Sequence, residues 1–159
     1  MFQIGDMIAH PMHGAGVIDS IEEKDINGTA ELFYILKMPT GGMVIMIPTS
    51  SSDQIGVRPI VNASKADELL ESISSIDAEM TSNWNRRYRE NMQKIKSGDL
   101  LEVARVVKGL MTRDVEKGLS TGERKMLHSA KQIFISEIVL SKSLTYEEVE
   151  SQLNESLAN

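Results

Sequence analysis

The sequence predicts an α+β fold with segregated domains, in which a small five-stranded β-barrel is followed by a bundle of five helices. Up to Val61, short apolar and partly β-branched stretches alternate with turn residues, a pattern typical of strands. From Ala63 onward there is no proline, and apolar residues recur every three or four positions, as in amphipathic helices. We therefore predict a barrel domain over 1–61, a linker over 62–65 and a helical domain over 66–159.

Five strands are predicted in the first domain. Their limits are Met7–His10, Gly16–Ile21, Leu32–Met38, Met43–Ile47 and Gly56–Val61. Asn27-Gly28 is the strongest hairpin signal between them, because both residues accept the positive φ angles of a type I′ turn. Strands this short can each bury one face by curling into a small barrel. We predict a barrel of the SH3-like or Tudor-like type.

Five helices are predicted in the second domain from their apolar stripes and their capping residues. The stripes begin at Ala66, Trp84, Val103, Met126 and Val149. Asp99 is placed to cap the third helix. Ser120 with Glu123, and Thr145 with Glu148, have the spacing of capping boxes, in which each pair satisfies two unpaired backbone amides reciprocally.

Composition and charge limit the classes of function. The 159 residues include no cysteine, which excludes a disulfide framework, a thiolate zinc site and a cysteine nucleophile. The net charge of -6 hides a basic middle, because residues 81–142 carry 13 basic and 7 acidic side chains. This segment could bind a polyanion. The chain shows no secretory signal and no apolar run long enough to span a membrane, so we expect a cytoplasmic protein without a membrane partner.

Residues suited to catalysis or metal binding are few and scattered. His10 and His13 lie three apart in a turn-rich segment, but a metal site needs at least two further ligands. Gly14-Ala15-Gly16 resembles part of a phosphate-binding loop, but it lacks both the Lys-Ser/Thr pair and the surrounding βαβ unit. We therefore predict no enzyme activity, no small-molecule substrate, no cofactor and no metal site.

The strongest binding signal is the segment NWNRRYR at residues 83–89. The only tryptophan, Trp84, falls here beside Arg86, Arg87 and Arg89 at the start of a predicted helix. Arginines at this spacing spread over nearly half of the helix circumference, so we expect some to face outward, where they can contact phosphates. An exposed tryptophan can lie against or between bases, whereas the alternative interpretation is a core tryptophan beside merely solvated arginines. A second basic set follows at Lys117, Arg124, Lys125 and Lys131.

Several short motifs together resemble the CarD/CdnL family of bacterial transcription regulators over essentially the whole chain. In the barrel they are Ile4-Gly5-Asp6, His10-Pro11 with His13-Gly14, Ile47-Pro48 and Gly56-Val57-Arg58. In the helical domain they are Asn83-Trp84, Arg86-Arg87-Tyr88, Ser97-Gly98-Asp99, Arg113-Asp114, Lys117-Gly118-Leu119-Ser120 and Gly122–Leu127. Each motif alone is weak, but their order and spacing are specific.

The resemblance implies two partners. The barrel would be an RNA polymerase-interacting domain, similar to that of transcription-repair coupling factors, which docks on the polymerase β subunit. The helical domain would contact promoter DNA near the upstream edge of the transcription bubble, weakly and with little sequence preference, and would stabilise the open promoter complex. By position, the implied DNA contacts are a minor-groove wedge at Trp84 and phosphate contacts at Arg86, Arg87, Arg89, Arg124 and Lys125. Such a protein is cytoplasmic and is associated with the nucleoid through polymerase.

The predicted strand Met43–Ile47 is the polymerase-facing strand that the resemblance implies. All five residues are apolar, and only alternate ones can face the interior, so the others need cover from a partner or from the helical domain. Addition of this strand to an edge of the β subunit would supply that cover. Relatives can carry a basic residue where Met46 stands, which leaves Lys24 as the remaining charge here. The predicted polymerase contacts are Lys24, Met43, Ile45, Met46 and Ile47.

Two alternatives to the polymerase-tethered regulator remain open at this point. A free-standing, sequence-specific repressor would read base edges, yet no recognition helix rich in asparagine or glutamine stands out, and the acidic barrel would be unexplained. A pure protein–protein scaffold would keep Trp84 in its core and use the basic segment only for solubility.

Overall fold

The computed structural model describes residues 1–158, and it places five strands before the main helices, as the α+β prediction requires. Asn159, the last residue of the predicted helical domain, lies outside the described residues. The strands are β1 (Met7–His10), β2 (Gly14–Ile26), β3 (Thr29–Lys37), β4 (Val44–Pro48) and β5 (Arg58–Pro59). They form one antiparallel sheet in the order β4-β3-β2-β1-β5.

The five strands are confirmed, but the sheet is open and does not close into the small barrel that the sequence predicts. β4 and β5 are its two edges and do not pair with each other. The chain between them forms a 3₁₀ turn (Thr49–Ser51) and a short helix α1 (Ser52–Ile55), which the sequence analysis missed. β5 is only two residues long and pairs only with β1, so it is too short to close the sheet.

The β2–β3 hairpin extends well past the predicted strand Gly16–Ile21. Its turn has the conformation that the sequence predicts, because Asn27 (φ 52°) and Gly28 (φ 83°) both adopt positive φ angles. Pairing continues to the tip, where Ile26 faces Thr29. Residues 22–30 of this arm are all exposed, so the hairpin projects beyond the core of the sheet.

One face of the sheet forms a small apolar core. Its buried members include Ile8, Ile18, Tyr34, Leu36 and Ile47. Along β3 these alternate with Phe33 and Ile35, which therefore lie on the opposite, outer face. β4 contributes apolar side chains to this outer face.

Five further helices follow, in the predicted order, and bring the described total to six. They are α2 (Ala63–Ser72), α3 (Trp84–Lys96), α4 (Leu100–Lys117), α5 (Thr121–Lys142) and α6 (Tyr146–Ala158). The Asp99 carboxylate accepts from the backbone N–H of Leu101 at 2.9 Å and caps α4. Thr145 and Glu148 form the predicted reciprocal box before α6, with distances of 3.1 and 3.3 Å. The helices share a second, larger core that includes Val106, Leu110, Phe134 and Ile138.

Buried polar contacts join the sheet unit (residues 1–61) to the helical unit (residues 63–158). The guanidinium of Arg58 forms two hydrogen bonds with the carboxylate of Glu137 on α5, at 2.7 and 2.9 Å. Glu137 is 1% exposed and also accepts from the backbone N–H of Val61 at 2.8 Å. Gly14 lies so close to α5 that a Cβ atom there would be 2.5 Å from the Ser136 hydroxyl oxygen. These contacts fix how the two units pack.

No helix within residues 1–158 has both the length and the apolar character needed to cross a membrane.

Candidate functional site

Trp84 is the first residue of α3 and lies at the surface rather than in the core. The Asn83 side chain caps the helix by accepting from the backbone N–H of Arg86 at 2.9 Å. The indole ring is 42% exposed and stacks on Tyr88, with ring centroids 5.1 Å apart and planes inclined by 18°. Its Nε1–H donates to the Ser120 hydroxyl oxygen at 3.0 Å. The site therefore presents an aromatic surface that is held on one side and open on the other.

The start of α5 lies directly beside these two rings. A Cβ atom at Gly122 would be 3.7 Å from both the Trp84 and Tyr88 rings. Both rings therefore lie against the first turn of α5, at ordinary van der Waals distance from the position that a Cβ atom would take. Sequence reasoning assigned Ser120 to helix capping, which the structure confirms, but it missed its contact with Trp84.

Arg87 is buried, which corrects its prediction as a phosphate contact. Its side chain is 2% exposed and forms two hydrogen bonds with the carboxylate of Glu123, at 2.7 and 3.1 Å. Its third nitrogen donates to the carbonyl oxygens of Thr81 and Ser82, both at 3.1 Å. The hydrogen bond from Arg87 holds the pKa of Glu123 below its ordinary value, against the opposing effect of burial.

The same carboxylate belongs to the predicted capping box at α5 and has a second partner there. Ser120 accepts from the backbone N–H of Glu123 at 3.2 Å, as predicted. Glu123 also pairs with Arg87 and lies 3.4 Å from the Ser120 hydroxyl. No local signal reveals this pairing, because Arg87 and Glu123 are 36 positions apart.

The other predicted DNA contacts are exposed. Arg86 pairs with Glu90 on its own helix at 2.8 Å, an arrangement that leaves 66% of its side chain accessible. Arg89 is exposed on the next turn of α3. Arg124 donates to the carbonyl oxygen of Leu119, and Lys125 lies beside Tyr88 along the groove between α3 and α5. Four accessible cations thus lie on the first two turns of α3 and α5, the two helices whose starts are joined by the Trp84–Ser120 hydrogen bond.

The outer face of the sheet carries the exposed part of the predicted polymerase contact. Val44 and Met46 point outward from β4 and are 52% and 46% exposed, and Met43 just before the strand is 56% exposed. About half of each of these side chains stays accessible, so the helical unit does not bury the outer side of this strand. Lys24 shares this face and forms an ion pair with Glu22 at 3.5 Å.

Two predicted polymerase contacts face the other way. Ile47 is 1% exposed and belongs to the core of the sheet. Ile45 is half-buried and packs against the same core. Alternation along β4 requires this once Val44 and Met46 face outward. The side chains of Ile45 and Ile47 are therefore structural, and only their backbone reaches the free edge of the sheet.

The two histidines in the first turn form part of its local structure. His10 Nδ1 accepts from the backbone N–H of Met12 at 3.0 Å, and the His10 and His13 rings lie 4.6 Å apart. Burial, together with the nearby His13, lowers the pKa of His10. Among residues 1–158, no three histidine or acidic side chains are grouped so that they could hold a metal ion.

Comparisons with known proteins identify the family. Residues 2–61 match the family model of the CarD-like/TRCF RID domain, and residues 68–154 match that of the CarD C-terminal domain. The chain belongs to the CarD family. A CarD-family relative in Bacillus subtilis (strain 168), named "Putative transcription factor YdeB", is 37% identical over 151 residues, which cover 95% of this chain and 99% of the relative.

Membership of the CarD family confirms the resemblance found in the sequence motifs. It makes this protein a member of a family of transcription regulators that act with RNA polymerase, and this is not an enzyme family. The CarD C-terminal match includes Trp84 and its four accessible cations, and the match to the polymerase-interacting domain includes β4.

Proposed function

We propose that this CarD-family protein docks on the RNA polymerase β subunit through its sheet unit and stabilises the open promoter complex through its helical unit. The DNA contacts are weak and largely independent of sequence, and they fall near the upstream edge of the transcription bubble. The observation that carries this proposal is the half-exposed Trp84 ring, held at one end by Ser120 between two helix starts that carry exposed cations. Such a protein works in the cytoplasm and reaches the nucleoid through polymerase.

The chemistry around Trp84 suits a base step that is already partly unstacked. A flat apolar ring can enter the minor groove and offset part of the unstacking cost, which is a few kcal/mol per base step. The side chains of Arg86, Arg89, Arg124 and Lys125 then contact phosphates, which fix position but carry no sequence information. Arg87 has no part in this contact, because its charge is neutralised by Glu123 inside the protein.

The sheet unit offers a free strand edge beside an apolar surface. β4 has one neighbour, β3, so its outer edge can add to a strand of the β subunit through main-chain hydrogen bonds. Met43, Val44 and Met46 supply adaptable apolar contacts, and Lys24 supplies a charge on the same face. Tethering by this edge raises the effective concentration of the helical unit at the bubble, so weak DNA affinity is sufficient.

Footprinting of a promoter fragment with the full-length protein tests the proposal. We expect no footprint on DNA alone, and an extended upstream-edge footprint with a longer-lived open complex when polymerase holoenzyme is present. A footprint confined to one sequence on DNA alone would support the free-standing repressor instead. Unchanged open-complex lifetime in the presence of saturating protein would contradict the proposed function.

A further inference from the structure

The hydroxyl of Ser120 uses all of its hydrogen-bonding capacity next to Trp84. It accepts from the indole Nε1–H at 3.0 Å and from the backbone N–H of Glu123 at 3.2 Å. The hydroxyl can donate in turn to the Glu123 carboxylate, whose nearer oxygen is 3.4 Å away. A hydroxyl has one donor and two acceptor positions, so Ser120 has a single favourable orientation here.

The residues behind Ser120 are held equally firmly. Glu123 is fixed by its two hydrogen bonds with Arg87, and both side chains are 2% exposed. Arg87 is fixed in turn by the carbonyl oxygens of Thr81 and Ser82, which directly precede α3. A continuous series of hydrogen bonds therefore runs from the chain before α3, through the start of α5, to the indole ring of Trp84.

We propose that Ser120, held by Glu123 and Arg87, is a positioning residue that sets the Trp84 ring in the orientation in which it meets DNA. The proposal rests on the proposed function of Trp84. A ring that is already ordered in the free protein loses less conformational freedom on binding. The affinity for DNA therefore rises although no interaction with DNA is added.

The same hydrogen bond also limits what Trp84 can recognise. The indole has one polar group, its N–H, and that group is already bonded to Ser120. With that group occupied, the ring can stack on any base through its hydrocarbon faces but does not donate to a base edge in the minor groove. Ser120 therefore favours a contact that is independent of sequence.

Three variants of the full-length protein separate positioning from helix capping. Ser120→Gly removes the hydroxyl but keeps a residue that is tolerated at the start of a helix, at a cost to the cap of a few tenths of a kcal/mol. Ser120→Thr keeps the hydroxyl. Asp99→Gly is the matched control, because it makes the same kind of change at the cap of α4, whose side chain bonds to Leu101 and not to Trp84.

Two measurements are made on each variant. Hydrogen exchange of the single indole N–H, followed by NMR, should be about tenfold faster in Ser120→Gly than in the wild type. The extension of open-complex lifetime with polymerase should fall about threefold to tenfold in Ser120→Gly, which corresponds to the loss of one net hydrogen bond. Both should return towards wild type in Ser120→Thr, and both should be retained in Asp99→Gly.

Two results would overturn the proposal. In the first, Ser120→Gly and Asp99→Gly shorten the open-complex lifetime equally, which assigns the effect to helix stability. In the second, Ser120→Gly keeps the wild-type exchange rate and the wild-type lifetime. Failure of the proposed function itself would be seen separately, as a wild-type protein that protects its indole N–H but does not extend the lifetime.

Discussion

Three arginines within four residues of α3 have three different environments. Arg86 pairs with Glu90 at the surface, Arg87 is buried against Glu123, and Arg89 is exposed. Their spacing predicted that some face outward, and this is confirmed. It could not predict that Arg87 faces inward, because its partner lies on a helix that only the tertiary fold brings close.

Trp84→Ala should shorten the open-complex lifetime in the presence of polymerase while the protein stays folded. The ring is 42% exposed, so its removal costs mainly the stacking on Tyr88 and one hydrogen bond, about 1–2 kcal/mol of unfolding free energy. Circular dichroism checks the helicity and a lifetime assay checks the function. If the variant lost its helicity together with its function, Trp84 would be needed for the fold of the protein and not specifically for the DNA contact.

Glu123→Gln should lower the unfolding free energy by about 3–5 kcal/mol at neutral pH, because it leaves the Arg87 charge buried and unpaired. The pKa of Glu123 is lowered in the folded protein, so the stability gained from its ionisation is present above the ordinary value of 4.5 and is lost as pH falls through the lowered value. The difference between wild type and variant should therefore shrink in acid.

Denaturant unfolding of both proteins between neutral pH and pH 3 measures this effect. Glu90→Gln is the matched control, because its ion pair with Arg86 is exposed and should contribute at most about 1 kcal/mol. If the two variants lost equal unfolding free energy at neutral pH, the buried ion pair would contribute no more to stability than the exposed one.

At the scale of elements, helix positions followed from the sequence more completely than strand limits. Capping residues and the three-to-four-residue period are local signals, and they placed the starts of α4, α5 and α6. The length of β2 depends on its partner β3, and the sheet stays open because β5 is only two residues long. Alternation along β4 left two choices, and the core selected the one that buries Ile47.

Met46→Glu should abolish binding to the polymerase β subunit without unfolding the protein. The side chain lies on the outer face of an edge strand and is 46% exposed, so a carboxylate is solvated in the free protein but would be desolvated in the complex. A pull-down with full-length protein measures retention, and a binding assay checks that weak DNA affinity remains.

Val115→Glu provides the matched control for this strand. It places the same charge at an apolar side chain that is 89% exposed, but on α4 of the helical unit. We expect it to be retained like the wild type. Equal retention of Met46→Glu and wild type would remove β4 from the interface.

At the scale of the whole molecule, the basic segment should act through salt-dependent contacts. Replacing Arg86 and Arg89 by Glu should reduce affinity for different DNA sequences equally, and should flatten the slope of log affinity against log salt by about 0.9 for each lost phosphate contact. Fluorescence titrations on two unrelated fragments measure both quantities. Lys65→Glu on α2, compared with each single arginine replacement, is the charge-matched control, and a loss confined to one fragment would favour sequence readout.

The Arg58–Glu137 contact and the close approach of Gly14 to α5 fix the distance between the sheet unit and Trp84 in the helical unit. With its sheet docked on polymerase, Trp84 would reach DNA at a distance measured from the enzyme and not from any sequence in the promoter. Each promoter would then be contacted at the same coordinate relative to its own bubble. The position of the DNA contact would then be set by the geometry of the protein. A protein without any base-specific contact could still bind at one defined position relative to the bubble.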